Sequence, residues 1–230
     1  IGINFIGVFF LAFALEYTGR ANVLRSKVMG GVVSLQVLHT LVVVTSDNGP
    51  VWYDEDDRRF GHRAAHVYRG MKGDAWEGGH RVPFVARWPG PIPAGTSSDQ
   101  LLTLTDLLPT IAALTGPALP PDSTDGTNLG PVITADRDSV ADDEAVIQSL
   151  QYLAVRDGPW KLIPGLGSGG FTSPAARIPG PSEPEGQLYH VGRDPAEQNN
   201  LYDERSEVVE RLTEQLRQYR RQRPGTSAAE

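Results

Sequence analysis

Five consecutive strand-forming residues, Leu41 to Thr45, stop at Ser46-Asp47-Asn48-Gly49-Pro50. A continuous apolar run of this length predicts a strand buried on both faces. Residues 50–80 then read as a long polar loop. It carries His62, His66 and His80 and the acidic run Asp54-Glu55-Asp56-Asp57. Loops this long inside compact domains usually serve function. Apolar residues return at Val82 to Trp88, a second strand that Pro89-Gly90-Pro91 ends. Helical periodicity follows from Asp106 to about Leu114, with Thr105 as N-cap and Pro109 near the first turn. Leu107, Leu108, Ile111 and Leu114 form its predicted apolar face, and Gly116-Pro117 terminates it.

The second half has a different rhythm. Residues 117–143 are rich in Pro, Asp, Thr and Gly and read as a connector. Short strands are predicted at Val146–Leu150, Tyr152–Arg156 and Trp160–Ile163, with Asp157-Gly158 turning the last pair into a hairpin. Residues 164–187, rich in Gly, Pro and Ser, read as an exposed loop. Leu188-Tyr189-His190 adds a strand. A final helix starts at Ser206 as N-cap with Glu207 in its first turn, and Val208, Val209, Leu212, Leu216 and Tyr219 make one stripe. The tail beyond Pro224 is polar and expected to fray. The order predicts an α/β class: the end of an α/β domain, then a small antiparallel sheet with one helix.

The first 40 residues fit this order least. Ile1 to Leu15 is almost wholly apolar, but no basic stretch precedes it, and 15 residues are short for a membrane span. An internal buried segment is expected there. Val28 to Leu38 suits a short helix or strand, weakened by Gly30-Gly31. No stable membrane span is expected.

Composition narrows the function. The chain has 230 residues, 40% of them hydrophobic, enough for one large domain or two small ones. Its net charge is −7, from 21 Lys and Arg against 28 Asp and Glu, which disfavours a nucleic-acid partner. Arg217, Arg220, Arg221 and Arg223 cluster where cations complement a helix C-terminus. There are no cysteines, hence no disulfides and no thiolate metal site.

The candidate chemistry starts at Asp47 and Asn48. Two hard oxygen ligands at the carboxyl end of a strand suit Ca²⁺ or Mg²⁺ better than a soft metal. Asp-Asn-Gly-Pro is equally ordinary turn chemistry. Lys72 lies between Gly70 and Gly73, from where a compact ammonium reaches an oxyanion. By position alone it reads as a solvated lysine.

The larger pattern decides between these readings. Asp47-Asn48-Gly49, then Lys72-Gly73-Asp74-Ala75-Trp76-Glu77-Gly78-Gly79-His80-Arg81-Val82-Pro83, then Trp88-Pro89-Gly90, resembles the arylsulfatase-type sulfatases of the alkaline phosphatase superfamily. Thr105 to Thr110, Ala154 to Ile163 and Leu188 to Leu201 are similar to the same family. The resemblance covers roughly residues 41–222. It implies the C-terminal part of an alkaline-phosphatase-like mixed sheet with flanking helices (41–135), then a subdomain of antiparallel strands and a terminal helix (136–230), after a divergent segment (1–40). It implies hydrolysis of sulfate esters. Asp47 and Asn48 would hold Ca²⁺ or Mg²⁺, and Lys72 would contact sulfate and assist the leaving group. His62, His66 and His80 are candidates for contact with substrate or metal, and His62 and His66 are assigned to substrate. Glu77, Gly78 and Gly79 are expected to shape the loop. Arg81 is either a structural ion-pair partner or a support for the site. Trp52 and Tyr53 either line the substrate mouth or pack.

The sequence also departs from the family. The expected nucleophile is a formylglycine, made from Cys or Ser in a Cys/Ser-x-Pro-x-Arg motif, and there is no Cys. The nearest serine, in Ser182-Glu183-Pro184-Glu185-Gly186, lacks the Arg. The family's two early metal aspartates, and the lysine and histidines before Asp-Asn-Gly, have no counterpart. The chain is therefore expected to be the C-terminal half of a sulfatase, inactive alone. Two alternatives stand beside this: a phosphodiesterase or phosphonate hydrolase of the same superfamily, and a degenerate domain that binds sulfated ligands. Family analogy suggests a periplasmic or secreted location.

Overall fold

The computed structural model describes residues 41–120, 123–134 and 143–222. The expectations for residues 1–40 and for the tail after Pro224 lie outside the described residues. The chain divides into two compact units. The described part of the first covers 41–44, 84–98 and 130–134. It holds strand β1 (Val42–Thr45) except its last residue, strand β2 (Phe84–Arg87), hydrogen-bonded with β1 as a two-stranded sheet, and the short helix that follows Leu129. Burial of β1 on both faces is not what the structure shows. Val44 is 60% exposed and Val42 is also open. An apolar run makes a strand buriable, but the layers laid across it decide whether it is buried.

The second unit holds the rest. Residues 50–80 are not one loop. They contain helices α1 (Asp54–Phe60) and α2 (Glu77–His80). The acidic run that looked like loop composition fills the first turn of α1, and Arg58 and Arg59 its last, so both ends complement the helix dipole. The Tyr53 N–H donates to Asp56 Oδ2 at 3.0 Å, and Gly61, at φ 61°, ends the helix by donating to the Asp57 carbonyl at 2.9 Å.

Helix α3 (Leu107–Thr115) follows a 3₁₀ turn, Leu104–Asp106. Its N-cap is Asp106, not Thr105; Thr103 caps the preceding turn, where the Thr103 N–H and hydroxyl both donate to Asp106 Oδ2, at 2.6 and 2.9 Å. Gly116 terminates it as predicted. The predicted apolar face is not the buried one. Leu108 is 52% exposed, whereas Thr110 and Ala112 are buried. The cause is the neighbouring segment 126–129, which needs acceptors for its backbone N–H groups. Asp106 Oδ1 takes the Thr127 N–H and Thr110 Oγ1 the Leu129 N–H, each at 2.8 Å. Helix α4 (Gly130–Ile133), within the span read as connector, belongs to the first unit.

Strands β3 (Glu144–Gln148), β4 (Leu153–Asp157), β5 (Trp160–Ile163) and β6 (Gln187–His190) form one antiparallel sheet in sequence order. The β4–β5 turn centres on Gly158-Pro159, with Asp157 opposite Trp160. One face of the sheet presents Leu153, Val155, Leu162 and Leu188 to Leu212 and Leu216 of α5 (Ser206–Gln222). The stripe read from sequence is thus the packing stripe. The other face presents Ala154, Ile163 and Tyr189 to Ala75 and Trp76. Residues 166–170 lie inside rather than on an exposed loop. The Ser168 carbonyl accepts from the Ala75 N–H at 2.7 Å, and the Gln187 amide donates to the Gly165 and Gly167 carbonyls. Among the described residues no helix is long and apolar enough to cross a membrane.

Candidate active site

Asp47 and Asn48 follow β1 directly, and backbone contacts set their position. The Gly49 N–H donates to the Gly79 carbonyl at 3.0 Å, and the Lys72 N–H donates to the Pro50 carbonyl at 2.9 Å. The two motifs are therefore hydrogen-bonded loop to loop. The approach is too close for a side chain: a Cβ on Gly49 would stand 1.9 Å from the Gly78 carbonyl oxygen, and one on Gly79 2.2 Å from the Asp74 carbonyl oxygen. Glycine is required there for space.

The segment 70–80 is in turn anchored at three points. Buried Asp74 accepts from the Met71 N–H at 2.9 Å and from Thr172. Trp76 enters the core against the sheet and donates to Gln187 Oε1 at 3.0 Å, with the Arg69 guanidinium 3.6 Å over its ring. Glu77 is 1% exposed and meets four cationic or ionisable partners. Lys161 Nζ is 3.2 Å away, Arg81 Nη1 2.9 Å, Arg156 Nη1 3.3 Å and His80 Nε2 3.2 Å. Burial pushes the Glu77 carboxyl up, but Lys161, His80 and Arg156 together outweigh it and hold it well below the usual carboxylate range. Glu77 shapes the loop, as expected. Arg81 is its ion-pair partner and also stacks over Tyr68 at 4.4 Å.

These anchors leave one open groove of about 610 Å³ in the second unit. Asn48, His66, Tyr68, Lys72 and Arg81 line it. Lys72 is exposed, and among the described residues no carboxylate pairs with it. His66 sits at φ 54°, a left-handed conformation uncommon for a residue with a side chain. Asp47 is exposed and does not line the groove, although Ser46 and Asn48 on either side of it do; Ser46 Oγ is 3.5 Å from its Oδ1. The structure thus brings Asn48, His66 and Lys72 together in one groove. It does not bring His62 to them. That ring packs edge-on against Trp52 at 5.6 Å, and its carbonyl accepts from the Trp52 indole N–H. Trp52 and Tyr53 line a neighbouring cavity of about 430 Å³, which shares Ala65 and Tyr68 with the groove.

Asp47 and Asn48 offer the hard oxygens a Ca²⁺ or Mg²⁺ ion takes, but Ca²⁺ takes six to eight. Among the described residues no cluster of three or more His, Asp or Glu side chains is placed to hold a metal. The donor set fits in kind and is incomplete in number. Formylglycine does not fit: there is no Cys, and Glu183, beside the candidate Ser182, is tied to Arg177 and to the Gly180 N–H as part of its own loop.

Sequence reasoning missed Lys161, Arg156 and Glu197. One signal was available. A two-residue hairpin at Gly158-Pro159 puts Arg156 directly opposite Lys161. Like charges so placed repel unless a carboxylate lies between them.

Residues 36–117 match the family model described as Sulfatase. The chain is 32% identical over 197 residues to the N-acetylgalactosamine-6-O-sulfatase of Bacteroides thetaiotaomicron, covering 83% of this chain and 38% of that protein. It is 33% identical over 192 residues to bovine (Bos taurus) arylsulfatase A, covering 78% and 36%. A solved sulfatase structure from a glycosaminoglycan-metabolising locus of Bacteroides thetaiotaomicron superposes with a TM-score of 0.68 at 31% identity, over 84% of this chain and 41% of that one. The fold of the PsFucS1 sulfatase from Pseudoalteromonas sp. also matches, with a TM-score of 0.63 at 22% identity over 95% and 42%. The chain spans less than two fifths of the length of the two curated relatives. On these matches residues 36–117 carry a sulfatase-family domain, and the chain is similar to sulfatases over most of its length.

Proposed function

We propose that this chain supplies part of the active site of a sulfuric ester hydrolase, with residues 41–135 in the catalytic domain and 136–230 as its C-terminal subdomain. The observation that carries the reading is the convergence of Asn48, His66 and Lys72 on one groove, with Asp47 preceding Asn48 in the chain. Cleaving an S–O bond develops negative charge on the sulfuryl oxygens and on the leaving oxygen. Lys72, a cation not consumed by an internal ion pair, faces that charge from the groove. Arg81 lines the same groove but is held by Glu77, so its charge is oriented rather than free. Asp47 and Asn48 would hold a divalent ion together with oxygens from outside this chain. Such an ion, when bound, acts as a Lewis acid on a sulfuryl oxygen. The nucleophile also lies outside these residues, and we infer no step through it. Two relatives are named for a sulfated amino sugar and for aryl sulfates, so a sulfated sugar or aryl ester is the substrate class we propose. We place the working enzyme outside the cytoplasm, by analogy with such relatives.

The test is turnover of a chromogenic aryl sulfate and of a phosphate diester by an enzyme that contains this chain. Lys72→Ala and Asp47→Ala are each expected to lower kcat/KM for the sulfate by roughly a hundredfold or more, as removal of one charge-stabilising group does elsewhere. EDTA is expected to abolish turnover and Ca²⁺ or Mg²⁺ to restore it. Preference for the phosphate diester, or indifference to both substitutions, would overturn the reading.

A further inference from the structure

We propose that Lys161 and Glu197 are positioning residues that set the Asp47-Asn48 and Lys72 loops from the C-terminal sheet. They act through the buried carboxylate of Glu77.

Lys161 lies on β5 with 0% of its side chain exposed. Its Nζ reaches Glu77 Oε1 at 3.2 Å and Glu197 Oε1 at 2.9 Å, and Glu197 is also fully buried. Glu197 Oε2 accepts the Glu77 N–H at 2.6 Å, at the start of α2. One carboxylate therefore bridges a cation and the first backbone donor of the helix that carries Gly78 and Gly79. Glu197 is itself held. It sits at φ 51° in a tight turn in which Asp194 Oδ2 accepts the Gln198 and Asn199 N–H groups, and its carbonyl accepts from Arg69, which covers Trp76. From Glu77 the path is backbone. Gly78 donates to the Arg69 carbonyl at 2.7 Å, Gly79 receives the Gly49 N–H, and Pro50 receives the Lys72 N–H.

A buried ion pair is weak evidence for stability, because desolvation offsets the attraction and apolar isosteres often do as well. What such a group does supply is direction. Here two fully buried carboxylates flank Lys161, and Arg81 and Arg156 pair with Glu77 as well, so each buried charge has a partner. That arrangement fixes the height of α2 above the sheet, and so fixes where Gly79 offers its carbonyl to Gly49. The inference rests on the proposed function only for what the positioned groups do.

Amide exchange in the full 230-residue chain tests it without any requirement for turnover. In Glu197→Gln the Gly49 and Lys72 amides are expected to exchange roughly tenfold faster, while amides of β4 and β5 keep their rates. A second variant, Glu77→Gln with Lys161→Met and Glu197→Gln, removes all three charges at similar volume and is expected to fold with the same local loosening. Unchanged exchange at Gly49 and Lys72 in both variants would overturn the proposal. So would an acceleration shared equally by the sheet, or loss of folding in both, since either describes a group that only stabilises. Absence of sulfatase activity would bear on the proposed function and leave this result standing.

Discussion

At the scale of single residues, the loop motif is mostly a set of spatial requirements. Gly49→Ala would force a methyl into the Gly78 carbonyl, and overpacking of this kind costs about 3 kcal/mol. A lower urea midpoint with unchanged slope is the expected result, and an unshifted midpoint would contradict the contact. His80 gives the molecule a pH dependence. Its side chain is 27% exposed, yet burial first, and then Lys161, pull its pKa from 6.5 down to about 4. The folded state thus binds this proton less readily than the unfolded chain, so stability falls as pH drops from 6.5 towards 4. Below 4.5 the depressed Glu77 carboxyl adds a loss of the same sign, whereas the raised Glu197 carboxyl acts above 4.5, where it works against His80 in both the parent and His80→Gln. Between pH 6.5 and 4.5 the His80 contribution is on the order of 2 kcal/mol, reduced by its partial exposure. A melting temperature that falls across this window in the parent and less in His80→Gln is the expected pattern; equal slopes would rule His80 out as the source. Asp47, Asn48 and Lys72 could be proposed from the sequence because they sit in a motif. Glu197 was not, because a glutamate in a turn carries no local sign of being buried.

At the scale of elements, amphipathic pattern worked where one partner decides the packing. The stripe of α5 predicts its own buried face because the sheet offers a single apolar surface to cover. Leu212→Ala there is expected to cost about 3 kcal/mol, read as a drop in the denaturant midpoint, and a loss under about 1 kcal/mol would mean the site collapses without a cavity. The same reasoning failed for α3. Its apolar residues outnumber its polar ones, but Asp106 and Thr110 satisfy the N–H groups of the segment beside it, and an unsatisfied buried donor costs more than an exposed leucine. In α1 the acidic run reads as loop by polarity and as helix start by charge position. The dipole argument is the one the structure follows.

At the scale of the whole molecule, the second unit carries a groove whose loops are held by backbone contacts. With Ca²⁺ present, the 230 residues alone are expected to give no turnover of an aryl sulfate above blank, and turnover would show that nucleophile and remaining ligands are supplied in some other way. What the sequence determined by itself is what short-range rules reach: the helix stop at Gly116, the hairpin at Gly158, the stripe of α5, and the spacing that marks a sulfatase. Tertiary structure alone decided that Lys161 and Glu197, 84 and 120 residues from Glu77, close around its carboxylate and backbone. Local propensity extends over about a turn of chain, and the pairing of buried charges depends on which surfaces meet, so no pattern within either segment specifies it.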